Sequence, residues 1–193
     1  MKIIDGHKGC YEYTTHFKGL AGHGSAPHKG VNAVEFASKF INKLLELREV
    51  LKKKAPKDSV FDPPFTTLQI GGISGGIARN VIADKCKVDW ELRPVVKEDG
   101  IFVNDEMEKY VNKILLPEMK KVFPGSSVTK EIIGEIIGFD REEKSDACEL
   151  VSSITGDNVR SVVSFGTEAG LFQEIGISTC LLYTSPSPRD QRG

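Results

Sequence analysis

Two segments of the chain combine glycine-rich backbone with side chains that could hold a small acid. Asn80 follows residues 71–76, which contain four glycines, and Arg93 ends a segment in which polar and apolar residues alternate. Glycine lets the backbone approach another molecule closely, and an amide and a guanidinium fork are suited to a carboxylate. The sequence therefore predicts that Asn80 and Arg93 bind a small acid.

Alternating side chains predict the strands that must carry these residues. In residues 10–18 the aromatic side chains fall on one face and His16 on the other, and in residues 85–93 Arg93 lies on the polar face. This period of two is typical of half-buried strands. Two further strands are predicted after proline-containing loops. The four predicted strands are residues 10–18, 65–70, 85–93 and 128–133.

Two helices are predicted between the strands. From Asn32 to Leu51 apolar residues recur every three or four positions, with Asn32 as the N-cap and Glu35 completing a capping box. A second amphipathic helix is expected from near Asp105, with a kink or interruption at Pro117. The element order predicts an α/β ferredoxin-like (split βαβ) sandwich, with a four-stranded antiparallel sheet and two helices, followed by an incomplete α/β segment.

Composition excludes several classes of function. With 26 basic and 27 acidic residues, the chain has no electrostatic footprint for nucleic acid. No apolar run approaches the roughly 20 residues that span a bilayer, and the N-terminus lacks the apolar core of a signal peptide, so we expect a cytoplasmic protein without a membrane partner. The four cysteines are scattered, without the paired spacing of a zinc or redox motif.

Five ordered motifs resemble one family of hydrolases. The motifs are His7-Lys8-Gly9, residues 21–27 with 30–33, the glycine turn with Asn80, Leu92-Arg93-Pro94 and residues 165–169. Their order and intervals resemble the co-catalytic zinc metallohydrolases, the family of acetylornithine deacetylase, succinyl-diaminopimelate desuccinylase and aminoacylase. In this family a ferredoxin-like lid, which also makes the dimer contact, interrupts a two-zinc catalytic domain. The resemblance extends over residues 3–182.

The resemblance implies how the chain divides. Residues 1–9 are expected to be a catalytic-domain remnant and hinge, 10–133 the lid or dimerisation domain, and 134–182 a partial zinc-hydrolase catalytic domain. Residues 183–193 have no apolar period and are interpreted as a non-native tail. Residues 146–182 are expected to expose apolar surface that missing parts of the catalytic domain would have covered.

The resemblance also implies roles for six residues. His23 corresponds to the lid histidine that reaches across the dimer and hydrogen-bonds the oxyanion formed during catalysis. Asn80 and Arg93 correspond to lid residues that contact the substrate carboxylate. Three further residues are expected to line the substrate pocket, and they are Gly166, Thr167 and Glu168.

Each of these roles has a simpler alternative. His23 could be loop surface, Asn80 a turn cap, Arg93 one half of a surface ion pair with a neighbouring carboxylate, and residues 166–168 a helix cap. No metal ligand can be assigned, because the family's usual ligands have no counterparts here. His23 and His28 lack helical spacing and an accompanying carboxylate. Zinc or cobalt is therefore expected in the full-length family member and not on this chain.

The resulting hypothesis is a fragment of a zinc-dependent amidohydrolase. The resemblance implies removal of the acyl group from N-acetylornithine or a related N-acyl amino acid, in arginine biosynthesis, by a homodimer joined through its lid. This chain alone is expected to be inactive, because it lacks the metal ligands. The alternative is a free-standing ferredoxin-like module that dimerises or binds a small acid without catalysis.

Overall fold

The computed structural model describes residues 2–183. Besides the α-helices and strands, they form a 3-10 turn at Pro27–Lys29 and a π-helical segment at Val111–Leu115. The strands are β1 (Lys2–His7), β2 (Cys10–Lys18), β3 (Gly22–His23), β4 (Thr67–Gly75), β5 (Val81–Ile82), β6 (Lys85–Arg93), β7 (Ser127–Ile136), β8 (Arg160–Val163) and β9 (Leu181–Tyr183). The helices are α1 (Ala33–Lys53), α2 (Lys97–Tyr110), α3 (Leu116–Val122), α4 (Asp146–Thr155) and α5 (Ala169–Glu174).

A four-stranded antiparallel sheet in the order β4-β6-β2-β7 forms the larger part of the fold. Helix α1 and the pair α2 and α3 pack on one face of it. The core between these layers is centred on Tyr13, Leu44 and Trp90, which are at most 3% exposed. The opposite face is polar, and on it His16 bonds Glu131 at 2.8 Å. The predicted ferredoxin-like sandwich is confirmed.

Capping and periodicity explain why α1 forms. The Asn32 side chain accepts the Val34 N–H at 3.1 Å and donates to Glu35 Oε1 at 3.0 Å, so the predicted N-cap is confirmed. Glu35 bonds the side chain of Asn32 and not its backbone, which differs from a standard capping box. One stripe of α1 is buried in the core and consists of Ala33, Phe36, Ala37, Phe40, Leu44, Leu47 and Leu51.

The second helix begins earlier than its sequence indicates. Helix α2 starts at Lys97 and not near Asp105, and Val96 at its N-cap position makes no side-chain cap bond. Valine gives no capping signal and Gly100 weakens the helical pattern, which explains the wrong boundary. Packing requires this glycine, because a Cβ there would lie 2.4 Å from the ring of Tyr11.

Pro117 interrupts the second helix, as its sequence predicts. It lies in the first turn of α3, where its missing N–H is tolerated. Immediately before it, the Leu116 N–H bonds the carbonyl of Val111, five residues back, which is the widened spacing of a π-helix.

Part of the predicted glycine turn is a strand. Residues 71–75 continue β4 and pair with β6 as far as Gly75 and Cys86, so the expectation of a turn over these residues was wrong. Pairing with a neighbouring strand overrides the low β propensity of glycine. The chain turns at Gly76, whose φ of 75° favours glycine, and the loop from there to β5 carries Asn80.

A separate three-stranded sheet lies beside the sandwich. Its central strand β1 is parallel to β8 and antiparallel to β9, and residues 8–9 connect it to β2. As expected for residues 146–182, this part of the chain exposes large apolar side chains. They include Leu150, Ile154, Val159, Leu171, Phe172, Ile175, Ile177 and Leu182.

Two further expectations concern the C-terminal tail and a membrane span. The proposed non-native tail lies outside the described residues from position 184 onward. Within residues 2–183, no helix is both long enough and apolar enough to cross a bilayer.

Candidate functional site

His23 and Asn80 lie side by side beyond one end of the four-stranded sheet. Strands β3 and β5 pair there, with His23 opposite Val81, and the Gly24 N–H donates to the Asn80 carbonyl at 2.7 Å. A Cβ on Gly24 would lie 3.2 Å from that carbonyl oxygen, so glycine allows this close approach. The side chains of His23 and Asn80 are exposed. The structure therefore brings two predicted site residues together.

Hydrogen bonds define the tautomer of the neutral His23 ring. The Ser25 backbone N–H donates to Nδ1 at 3.2 Å, and the Ser25 hydroxyl lies 2.7 Å from the same nitrogen. Because a backbone N–H can only donate, Nδ1 is an acceptor and the proton of the neutral ring is on Nε2. Within residues 2–183 this Nε2–H has no hydrogen-bond partner. It is therefore free to donate to a ligand.

Arg93 lies at the opposite end of β6, where the sandwich meets the three-stranded sheet. Its guanidinium donates to Glu91 Oε2 at 2.7 Å, and its side chain is 22% exposed. Burial opposes the charge, but the hydrogen bond and the charge of Glu91 outweigh burial and raise the pKa of Arg93. The simpler alternative, an ion pair, is thus present. It leaves further guanidinium N–H groups available for a carboxylate.

Cys10 connects Arg93 with the segment that begins at Gly166. Burial raises the pKa of the Cys10 thiol, even though the charge of the neighbouring Arg93 opposes this shift. A Cβ on Gly166 would lie 2.6 Å from the Cβ of Cys10, so a larger residue would separate the two sheets at this point. Arg93 and Gly166 therefore belong to one cluster.

His7 holds the next residue of this segment, Thr167. The His7 Nδ1–H donates to the Lys8 carbonyl at 2.8 Å, and Nε2 accepts the Thr167 N–H at 3.4 Å. Burial lowers the pKa of His7, which keeps the ring neutral, as this pair of bonds requires. The Thr167 hydroxyl accepts the Ala169 N–H at 3.2 Å, so Thr167 also caps α5. Glu168 is exposed and makes no side-chain cap bond.

The two clusters lie far apart. Both β6 and α1 run between them, and their lengths of 9 and 21 residues correspond to about 30 Å each. The start of α1 lies at the His23 end, where the Ala33 N–H bonds the Ala83 carbonyl at 2.7 Å. His23 and Arg93 of one chain therefore cannot contact the same small ligand. The sequence pattern suggested a joint site for Asn80 and Arg93. It contains no information on the distance between them.

Lys8 is a buried residue at this junction for which the sequence predicts no role of its own. It is 1% exposed, and its Nζ donates to the carbonyls of Pro63 at 2.7 Å and Phe65 at 2.9 Å. Burial lowers the pKa of Lys8. The Ser164 hydroxyl donates to the neighbouring Asp62 carbonyl at 2.6 Å. Lys8 and Ser164 thus hold the loop between α1 and β4 against the junction of the two sheets.

The side chains described here do not fit a resident metal ion. Within residues 2–183, no group of three or more histidine, cysteine, aspartate and glutamate side chains is placed to hold one. The zinc or cobalt that the resemblance implies therefore has no ligand set of this size among residues 2–183.

The fold defines the class of protein: a ferredoxin-like sandwich joined to a second, smaller α/β unit. Residues 5–119 match the family model of the peptidase dimerisation domain, and the chain belongs to this family. The resemblance indicated by the ordered motifs is confirmed. Members of the family are hydrolases.

One curated relative is the acetylornithine deacetylase of Erwinia tasmaniensis. It is 29% identical over 175 residues, which cover 91% of this chain and 44% of that protein. The chain therefore spans less than half the length of this relative.

Solved structures share the fold. The aminopeptidase PepT from Bacillus cereus has a TM-score of 0.66 at 21% identity and is matched over 93% of this chain and 44% of its own. A hydantoinase/carbamoylase family amidase from Burkholderia vietnamiensis has a TM-score of 0.66 at 15% identity, over 92% of this chain and 40% of its own. At these identities the likeness shows the fold alone.

Proposed function

We propose that this chain is the lid and part of the catalytic domain of a cytoplasmic, metal-dependent amidohydrolase. The substrate would be N-acetylornithine or a related N-acyl amino acid, which places the reaction in arginine biosynthesis. The similarity to an acetylornithine deacetylase supports this substrate class. In the proposal residues 1–9 and 134–182 belong to the catalytic domain and residues 10–133 to the lid. The observation that carries it is the separation of two polar clusters, each suited to a different part of such a substrate.

The cluster at Arg93 would bind the amino-acid part of the substrate. Its guanidinium offers charge-assisted hydrogen bonds to the substrate carboxylate, and the Glu91 bond holds it in position. Gly166 lies against Cys10, which neighbours Arg93, and Gly166, Thr167 and Glu168 would form the adjoining pocket wall. His7 would position this wall through the Thr167 N–H.

The cluster at His23 would act on the amide itself. Attack on the amide carbonyl develops negative charge on its oxygen, and preorganised donors stabilise such charge most when they need no rearrangement. The Nε2–H of His23, which has no partner among residues 2–183, is a donor of this kind, and Ser25 orients its ring. Asn80 lies beside it and would add an amide donor or contact the substrate.

Because the clusters are about 30 Å apart along β6, we propose that one active site combines Arg93 of one subunit with His23 of another. A twofold dimer makes two such sites, since each subunit gives one cluster and receives the other. The separation within one chain thus supports a homodimer in which the lid of each subunit completes the site of its partner.

The β4 side of the sandwich offers a surface for this dimer. Strand β4 pairs only with β6 within the described residues, so its outer edge presents free backbone groups. The flank of α1 on this side carries apolar side chains that are only half buried, and Ile73 of β4 is 49% exposed. We call these residues the edge patch, and they are Val34, Ile41, Leu45 and Ile73. A second copy could continue the sheet across β4 and cover the edge patch.

Replacing Leu45 with arginine is expected to convert the dimer into monomers, because it places a charge in the middle of the edge patch. Sedimentation velocity on the purified chain measures this, with circular dichroism to show that the fold persists. Val50→Arg is the matched control, since Val50 is 39% exposed on the opposite flank of α1. A folded Leu45→Arg variant that sediments like the wild type would place the interface elsewhere.

The activity is tested with a chimera in which residues 3–182 replace the matching segment of the Erwinia tasmaniensis acetylornithine deacetylase. We expect the dimeric chimera to release acetate from N-acetylornithine, and the purified chain with added zinc to release none. A folded, dimeric, zinc-loaded chimera without hydrolysis would contradict the proposed substrate class. Zinc-dependent hydrolysis by the chain alone would contradict the proposal that the metal-binding residues lie outside this chain.

The second candidate is a ferredoxin-like module that dimerises or binds a small acid without catalysis. The partly buried Arg93 guanidinium, which could bind a carboxylate, and the dimerisation-domain family are compatible with it. It does not explain why β1, β8 and β9 form a further sheet that exposes large apolar side chains. Sequencing the coding region around this chain distinguishes the two, since the enzyme requires metal-binding residues encoded in the same reading frame.

A further inference from the structure

A cavity between β7 and α2 takes no part in the site described above. Its volume is about 320 Å³. This is at the lower end of the range of about 300–1,000 Å³ found for small-molecule sites, so it would admit a ligand of metabolite size. Four apolar side chains form its floor, and they are Phe40, Trp90, Met107 and Val128.

The π-helical segment borders this cavity. Val111 begins the segment and lines the cavity, and the Leu116 N–H bonds the Val111 carbonyl across the wider π-helical turn. Such turns occur frequently at functional sites, where they displace one wall of a helix. The second helix thus departs from regular geometry at the point where it passes over the opening.

The rim of the cavity carries one cation and one anion without ionic partners. Lys130 Nζ donates to the neutral Asn104 Oδ1 at 2.7 Å and lies 4.9 Å from the centre of the Tyr13 ring. Within residues 2–183 neither Lys130 nor Glu108 forms an ion pair, although both line the cavity. Each charge could therefore accept a ligand of the opposite sign.

Helix geometry sets the spacing of these two charges. Asn104 and Glu108 are four residues apart on α2, so their Cβ atoms are about 6 Å apart on one face of the helix. Because Asn104 holds the Lys130 ammonium, a cation and an anion lie about one helical turn from each other at the opening. An ammonium and a carboxylate on one carbon atom would fit between them.

We propose that this cavity binds a free α-amino acid with an apolar side chain. Its carboxylate would pair with Lys130, its ammonium group with Glu108, and its side chain would enter between Trp90 and Met107. The proposal is independent of the deacylase activity, because none of these residues belongs to the His23 or Arg93 cluster.

Trp90 provides the measurement, since it is the only tryptophan in the chain and lines the cavity floor. Titrating the purified chain with L-leucine or L-phenylalanine is expected to change its fluorescence saturably. N-acetyl-L-leucine lacks the ammonium group and L-leucine methyl ester lacks the carboxylate. Each is expected to bind at least about tenfold more weakly than L-leucine, as loss of one charge-assisted hydrogen bond implies.

Variants of the two charged rim residues distinguish specific binding of the amino acid from nonspecific changes in fluorescence. Lys130→Met and Glu108→Gln are each expected to weaken L-leucine binding at least about tenfold. Lys87→Met, on the outer face of the sheet, is the matched control and is expected to bind as the wild type does. The proposal is overturned if neither amino acid gives a saturable change, if the two blocked leucine derivatives bind as tightly as leucine, or if the rim variants match the Lys87→Met control.

Discussion

Replacing His23 with alanine in the chimera is expected to lower kcat for N-acetylornithine by about 10²- to 10³-fold, with a much smaller change in KM. The Nε2–H of His23 would contact the amide oxygen only as negative charge develops on it, so its loss affects the transition state more than the bound substrate. Steady-state kinetics on the purified, zinc-loaded chimera measures both constants.

The His23 prediction has a matched control in the same loop region. His28 is also exposed, on the 3-10 turn Pro27–Lys29, and no role is proposed for it. His28→Ala is expected to keep wild-type kcat and KM. Equal kinetics for His23→Ala and His28→Ala would show that His23 is only polar surface.

Arg93→Met is expected to reduce kcat/KM for N-acetylornithine by about 10²-fold, mainly through a higher KM. The charge-assisted bonds from Arg93 to the carboxylate form in the ground state as well as in the transition state, and each contributes about 1.5–3 kcal/mol. The removal also leaves Glu91 without its cation, which adds repulsion of an anionic substrate. Lys87→Met on the same strand is the control, because Lys87 pairs with Asp89 on the outer face at 3.1 Å.

Mixing the His23→Ala and Arg93→Met chimeras tests whether one active site takes the two residues from different subunits. If one site takes them from different subunits, a mixed dimer has one intact site and one site with both lesions. After subunit exchange, about a quarter of wild-type activity should return. If both residues act within one subunit, every site in the mixture carries a lesion and no activity returns.

The central sandwich could be predicted because its signals are local. The side chains of residues 10–18 and 85–93 alternate with the period of a strand, and Asn32 carries a recognisable N-cap. Each signal resides in the residues that form the element. The predicted start of α2 was wrong for two reasons. Val96 has no capping side chain, and Gly100, which packing against Tyr11 requires, weakens the helical pattern. Such contacts between distant segments are not encoded in a local pattern.

The candidate site was predictable residue by residue but not as a geometry. Motif order indicated His23, Asn80 and Arg93, yet it gave no distance between them. The structure places Asn80 with His23 and places Arg93 with Gly166, which changes the inferred site from one cluster to two halves. The anchoring role of Lys8 was missed, because its motif lies between two strands and does not reveal which loop carbonyls its ammonium meets.

Helix α1 limits where relatives of this chain can gain or lose residues. Each residue inserted into α1 would rotate all later side chains by about 100° and move its buried stripe out of the core. The length of the helix, 21 residues, can therefore change only by about a whole helical turn at a time. Loops accept insertions at little cost in free energy. Evolutionary changes in size should therefore accumulate in the segment after Lys54, while the helix acts as a spacer of constant length.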